Sequence, residues 1–544
     1  MPLLRFLRPL PRAVTRPLAI LALVAWVVTM GVMINRTYLQ ASPINLATDL
    51  ARYGSTAQWR GVYYRGEKIG FTVSQVQATE DGFELQEDGR LQFSLLGAIT
   101  PAILRTTARV DRTFALKSFD FSLDPGTGPM AIKGRLDGLR LSLEISSAAG
   151  TRRETRDLNE APALMLSVGR RLASEGLVAG AKRQWTVFDP ATMQNALVTI
   201  AIADREVVRG SGPRPIPAFK VQMAFSGLTT TAWVTDTGEI VREESPMGLI
   251  TVLETQQQAT ALSVSNRMRE DMLQASAIVP AMGRHTIVEP RNVSRMRLRV
   301  SGAELTGADL QGEGQRVDGN VIELIDPREL VAGPAPGDLD RYLQPEPFIE
   351  SDAAEIRAEA ERLVQGVTGT RARAERLTRE INSLVEKRPT VSLPSAREVL
   401  RTKVGDCNEH TVLFVAMARA LGIPARINVG VAFVHGAFYY HAWPEVYIDE
   451  GKGRGLWLPV DPTFNQFPAD ATHVRFARGG LDKQAAILPL VGKVQMAVDD
   501  VTVVPNSTPI LVGRQDADAR PLSIPIPRRQ ACGCWASPCA GTGQ

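Results

Sequence analysis

Cysteine is scarce in this 544-residue chain and badly placed for cross-linking: of four cysteines, Cys407 stands alone, and Cys532, Cys534 and Cys539 crowd into the last few residues. No disulfide framework can therefore staple the main body. A solitary thiol in a long chain is either a small buried hydrophobe or a nucleophile, and burial is the commoner case. A dominant charge is missing too, since 62 basic and 58 acidic residues leave a formal net charge of +4. Part of that excess is local, because Arg5, Arg8, Arg12 and Arg16 precede any acidic residue. No basic face interleaved with aromatics occurs, which leaves nucleic-acid binding without support. No repeat period is evident. Global disorder is excluded by an ordinary globular composition, 44% hydrophobic and 22% charged.

One uncharged apolar run, Leu18 to Ile34, lies near the amino terminus. It is close to the lower length limit for a bilayer span, about 17 residues. Four arginines before it predict a cytoplasmic amino terminus, with the chain after Arg36 exported to the periplasmic side. A cleaved signal peptide is the rival reading, but no A-x-A site follows, and Leu39-Gln40-Ala41 is a poor substitute. A buried core helix suits neither the terminal position nor the charge asymmetry. The expectation is a single-pass anchor over residues 1–36.

Chain length suggests two or three domains. Over 40–265, short apolar-alternating runs such as Gly70–Val73 and Leu139–Ile145 are separated by turn signals such as Glu80-Asp81-Gly82, which predicts an antiparallel β-rich domain. One helical interruption is expected near Ala161 to Leu177. The domain shows no titratable cluster, so a structural or partner-docking role is expected of it. A small β-rich segment follows over 280–330, with Met296–Val300 and Val321–Ile325 as strands, and then a proline-punctuated linker over 331–350. From 351 to about 500 the apolar period becomes helical and then strand-like; residues 501–544 read as a tail. The fold class is α+β.

Chemistry concentrates around Cys407. Lys403-Val404-Gly405-Asp406-Cys407-Asn408-Glu409-His410-Thr411 leads into a helix whose stripe is Val412, Leu413, Ala416, Met417 and Ala420, and Gly422 and Pro424 stop it. Cys407 then sits in the first turn, where free N–H groups and the helix dipole favour a thiolate. Downstream, Phe438 to Ile448 reads as a strand carrying His441, with Pro444 favouring an edge or bulge. A turn through Asp449-Glu450-Gly451 returns the chain along Leu456 to Val460 into Asp461-Pro462-Thr463. Antiparallel pairing of the two strands is expected to bring His441 and Asp461 together. Thiol, imidazole and carboxylate then suit the roles of nucleophile, proton shuttle and imidazole orienter.

The runs G-D-C-N-E-H-T, A-R-A-L-G-I-P-A-R, H-A-W-P-E-V and V-D-P-T resemble the core motifs of the bacterial transglutaminase-like superfamily. The resemblance spans about Ser395 to Thr463. It implies a papain-like core with Cys407 as nucleophile, His441 as general base and acid, and Asp461 as the third member. It also implies a protein or peptide substrate, attacked at an amide carbon through a thioester. Amine and water both remain open as the acyl acceptor. The opposing class is a non-catalytic binding or scaffold module that keeps the fold, against which the intact set of Cys407, His441 and Asp461 argues. No cofactor is called for. A zinc site from Cys407, His410, His435 and His441 is disfavoured, because the His435–His441 gap matches no usual half-site. His410 is expected to line the cleft or pack near the helix start, and His285 and His473 to be structural. Trp443 and Trp457 read as packing, and Glu445 as a local partner on the His441 face. The Cys407 backbone N–H is one candidate oxyanion donor. The cysteine-rich tail reads as a silent terminus rather than a metal or redox site.

Overall fold

The computed structural model describes residues 53–504, except positions 55, 127, 191–192, 211–213, 226, 262–270, 304, 306–308, 394 and 480–486. The expected anchor and the cysteine-rich tail lie outside the described residues. Among those residues, no helix is long and apolar enough to cross a membrane.

The amino-terminal half folds as one fourteen-stranded antiparallel sheet from Gln58 to Glu254. Two meanders lie side by side, joined where Trp59–Tyr64 pairs with Leu249–Glu254, and the outermost strands are Gly150–Asp157 and Lys182–Asp189. Alternation drives this. Leu141, Leu143 and Ile145 are buried, whereas Arg140, Ser142 and Glu144 point away. The helical interruption falls at Met165–Glu175, between the two edge strands.

The second half has one continuous hydrophobic core. Its strands are β1 (Val293–Ser301), β2 (Gln315–Asp318), β3 (Val321–Ile325), β4 (Gly333–Pro334), β5 (Glu386–Lys387), β6 (Val404–Gly405), β7 (Ala425–Val434), β8 (Ala437–Gly451), β9 (Arg454–Pro459), β10 (His473–Arg478) and β11 (Gln495–Val503). Its helices are α1 (Ala354–Leu363), α2 (Thr370–Leu384), α3 (Ala396–Thr402) and α4 (Cys407–Ala420). The segment 280–330 does not stand alone. β1 pairs with β3 on one side and with β11 on the other, so chain from both ends of this half closes a four-stranded sheet. Nor is 331–350 a free spacer. β4 pairs with β9, Tyr342 packs edge-on against Trp457 at 5.0 Å, and Phe348 and Ile349 are buried.

The five-stranded sheet runs β4-β9-β8-β7-β10. β8 is therefore interior, and the edge position expected for Pro444 is corrected. Pro444 is tolerated because its carbonyl faces the β9 side, where it accepts from Val460 N at 2.9 Å. Its missing N–H falls on that same side, at the end of the β8–β9 ladder, where Glu445 is paired with Pro459.

α4 is buried from Glu409 to Arg419, so it is a central helix with no solvent face rather than a one-sided stripe. Helices and sheet pack around it. Gly430 on β7 shows how close the strands lie, since a Cβ there would sit 2.0 Å from the Val474 carbonyl oxygen of β10. Gly430→Ala is expected to force β7 and β10 apart, costing about 2 kcal/mol or more, read as a lowered midpoint in thermal or denaturant unfolding.

Candidate active site

Cys407 is the first residue of α4. A capping box holds that end: Asp406 Oδ1 accepts from Asn408 N at 2.9 Å, and Glu409 Oε2 accepts from Asp406 N at 2.8 Å. Glu409 folds back over Gly405, where a Cβ would lie 2.2 Å from the Cβ of Glu409, so only glycine fits. Glu409 also accepts from Thr390 Oγ1 at 3.0 Å and from Ser392 Oγ.

The sulfur receives the backbone N–H of Ala442, the residue after His441, and Thr411 Oγ1 donates to the Ala442 carbonyl at 3.0 Å. Both backbone groups of Ala442 are thus tied to the start of α4. His441 immediately precedes Ala442 on the same strand.

The expected antiparallel pairing of β8 and β9 is present and leads the chain to Asp461, which follows the ladder in a turn. The β8–β9 ladder ends at Glu445 and Pro459, and Asp461 belongs to a turn that closes on Gln466 through paired backbone bonds of 2.9 and 2.8 Å. Asn382 of α2 donates to the carbonyls of Pro462 and Thr463 and pins this turn. His441 Nε2 lies 2.7 Å from Asp461 Oδ2. Asp461 Oδ1 accepts from the backbone of Thr463 at 2.7 Å and of Phe464 at 3.0 Å. With Nε2–H committed to the carboxylate, Nδ1 of His441 is left with a lone pair.

Rings hold the imidazole in place. Phe464 stacks on His441 at 4.7 Å and 9°, and Trp443 stacks at 6.0 Å and 14°. Trp443 is thus packing, as expected, but packing against the site itself. Trp457 is stacked instead on the Arg426 guanidinium at 3.9 Å.

His473, expected to be structural, lies in contact with the Asp461 carboxylate. Its Nε2 lies 3.1 Å from the same Asp461 Oδ2, and its Nδ1 lies 3.1 Å from the Asp470 carbonyl and 3.2 Å from Asp470 Oδ1. Burial works against its charge, but Asp470 and Asp461 overcome that and raise His473 to about 10. Burial likewise opposes ionisation of Asp461, yet His441 and His473 hold it far below the usual carboxylate range. No spacing in the sequence links His473 to Asp461; the β10 register brings them together. The turn signal Asp470-Ala471-Thr472, with Asp470 Oδ1 accepting from Thr472 N and Oγ1, was the only local clue.

The other histidines are scattered. His410 is fully buried; its Nδ1 lies 2.7 Å from the Asp406 carbonyl, and burial lowers its pKa. His285 Nε2 meets the Asp499 carbonyl at 3.1 Å. Among the described residues, the group whose donors converge as a metal set is His441, Asp461 and His473. Both imidazoles point Nε2 at one carboxylate oxygen at hydrogen-bond distance, which accounts for the cluster as a proton-bonded network.

The thiol also differs from expectation. Burial pushes Cys407 well above its ordinary value and the charge of Asp406 adds to this, while the Ala442 N–H works the other way. The capping carboxylate sits where the helix dipole would otherwise have favoured a thiolate. Burial first, and the neighbouring carboxyls after it, thus hold Cys407 towards its thiol form.

Glu445, on the His441 face of β8, is a buried anion held by Arg426, Arg475 and Arg478. Burial raises its pKa, but the three guanidiniums bring it down to about 2. Because the folded value is depressed, its stabilisation is present above the usual carboxylate range, about 4.3, and is lost as pH falls from there towards 2. Glu445→Gln is expected to cost about 3–5 kcal/mol at pH 7, by leaving buried guanidiniums unpaired. The gap to wild type should narrow below about pH 4 in pH-resolved unfolding curves.

A helix-borne thiol set against an antiparallel sheet that carries an imidazole, with a carboxylate in the turn after it, is the α+β scaffold of cysteine enzymes. Residues 357–462 match the model of the transglutaminase-like superfamily. Among solved structures, a protein from Cytophaga hutchinsonii described as a candidate cysteine protease is similar, at 20% identity over 39% of this chain and 87% of that chain, with a TM-score of 0.26. A β-barrel-like protein of a domain family of unknown function from Brucella abortus is similar at 13% identity over 37% and 97%, with a TM-score of 0.29. The periplasmic domain of TgpA from Pseudomonas aeruginosa, bound to ethylmercury, is similar at 18% identity over 32% and 91%, with a TM-score of 0.20. None of the curated proteins matches the chain.

Proposed function

We propose that the protein is a cysteine acyltransferase or amidase that cleaves an amide bond in a protein or peptide substrate. The observation that carries this reading is the 2.7 Å bond between His441 Nε2 and Asp461 Oδ2, beside a thiol held by the neighbouring Ala442 N–H. His441 Nδ1 takes the Cys407 proton as sulfur attacks the amide carbon. The Cys407 backbone N–H faces the developing oxyanion. The proton then passes from Nδ1 to the departing nitrogen, and the C–N bond breaks to leave a thioester. An amine or a water gives its proton to Nδ1, attacks the thioester and releases the thiol. An amine acceptor makes the enzyme a transglutaminase; water makes it a peptidase or amidase.

The uncharged run after four arginines supports placement on the outer side of a membrane, held by the residue 1–36 anchor. The large β sheet, which has no titratable cluster recognised in the sequence, is proposed to dock the partner that presents the substrate.

The test is mass spectrometry of peptide substrates incubated with the full-length protein, with and without a primary amine. Amine incorporation that disappears in Cys407→Ala supports transfer; amine-independent hydrolysis that disappears supports the amidase. Neither product, or either one undiminished in Cys407→Ala, overturns the proposal. Protease accessibility of the body only from the cytoplasmic side overturns the placement.

A further inference from the structure

His473 is a buried titratable group beside the site that the acyl chemistry above leaves unused. Each of its ring nitrogens faces acceptors: Nε2 faces Asp461 Oδ2 at 3.1 Å, and Nδ1 faces the Asp470 carbonyl at 3.1 Å and Asp470 Oδ1 at 3.2 Å. A carbonyl and two carboxylates have no hydrogen to give, so both nitrogens carry one and the ring is a cation. It is buried with both carboxylates, which have side chains 0% and 6% exposed.

We propose that Asp470 and His473 extend the triad into a chain of alternating charge, Asp470, His473, Asp461, His441, in which His473 is a positioning residue that sets how readily Cys407 ionises. The inference rests on the roles given above to Cys407 and His441. Asp461 carries a negative charge within reach of Cys407, and that charge opposes loss of the thiol proton. His473, bonded to the same Oδ2 as His441, offsets it. Asp470 holds His473 charged in turn, with its own carboxyl lowered to about 2 despite burial. When His441 takes the thiol proton, each cation in the chain lies between or beside anions.

Other charged and titratable groups around this chain are Cys407 and His410 on α4, Lys387 on β5, and Arg328 in the turn after β3. Phe464 and Trp443 close the remaining sides of His473 with aromatic rings at 6.3 and 5.1 Å.

The experiment is the pH dependence of iodoacetamide alkylation of Cys407 in the full-length, detergent-solubilised protein, wild type against His473→Gln. Glutamine keeps an N–H for Asp461 and removes the charge. The alkylation midpoint is expected to rise by about half to one pH unit, slowing the rising limb about three- to tenfold. An unmoved or lowered midpoint overturns the inference. Should the variant not fold, imidazole NMR of the wild type decides among only five histidines. Both His473 nitrogens protonated at pH 8 supports the chain, and a neutral ring overturns it. Absence of both transfer and hydrolysis by the wild type in the peptide assay strikes the reading of the triad, whereas an unmoved midpoint with either wild-type activity present strikes His473 alone.

Discussion

Cys407→Ser is expected to lower amide turnover by on the order of 10⁴-fold or more, with the fold intact. The substitution keeps an atom able to accept the Ala442 N–H, so His441 stays docked at the start of α4. What changes is acidity and nucleophilicity. Burial and Asp406 already hold the thiol protonated, and a hydroxyl in the same surroundings is a far weaker acid. His441 then faces a proton it cannot remove at a useful rate. Turnover is measured in the same peptide assay, with circular dichroism as the control for folding. A serine variant within a hundredfold of wild type would mean that sulfur is not the nucleophile.

Asp461→Asn is expected to lower kcat by on the order of 10³- to 10⁴-fold at nearly constant KM, through the wrong tautomer of His441. The direction of the amide is dictated locally. Oδ1 accepts two backbone N–H groups that cannot reverse, from Thr463 and Phe464, so the asparagine oxygen takes that position. Its NH₂ then faces His441, in place of the oxygen that lay 2.7 Å from Nε2. His441 has to accept there, and its proton moves to Nδ1, the atom proposed to take the thiol proton. Steady-state kinetics separate the two parameters, and a loss confined to KM would contradict the tautomer argument.

The helix bearing Cys407 and the strands β8 and β9 were legible in the sequence because local signals agree: a cap, an apolar run, a stop and two alternating segments around a turn. β7, directly after the helix, was not read as a strand. The transglutaminase-like region was legible for the same reason. His473 was not, because its role depends on a register between β7 and β10 that no local pattern encodes. Pro444 was read as favouring an edge or a bulge because its propensity is local, while the ladder that ends beside it on an interior strand is tertiary. The upward push on the thiol was missed because a helix start was read without the burial of Cys407, to which the charge of Asp406 adds. The union of β1 and β11 was invisible for a plainer reason: partners nearly 200 residues apart share no sequence signal.

The loop at 389–393 has a consequence for how this protein can be dissected. Val391 and Leu393 pack, with Phe348, into the core of the large sheet, while Thr390 and Ser392 between them donate to Glu409, which caps the Cys407 helix. Thr100 of that sheet also donates to the Pro389 carbonyl at 3.4 Å. Nucleophile and sheet are therefore mechanically in series. An isolated catalytic half would expose three apolar side chains and lose the backing of its helix cap. Conversely, a partner that flexes the sheet beneath this loop would act on the thiol's surroundings without touching the cleft.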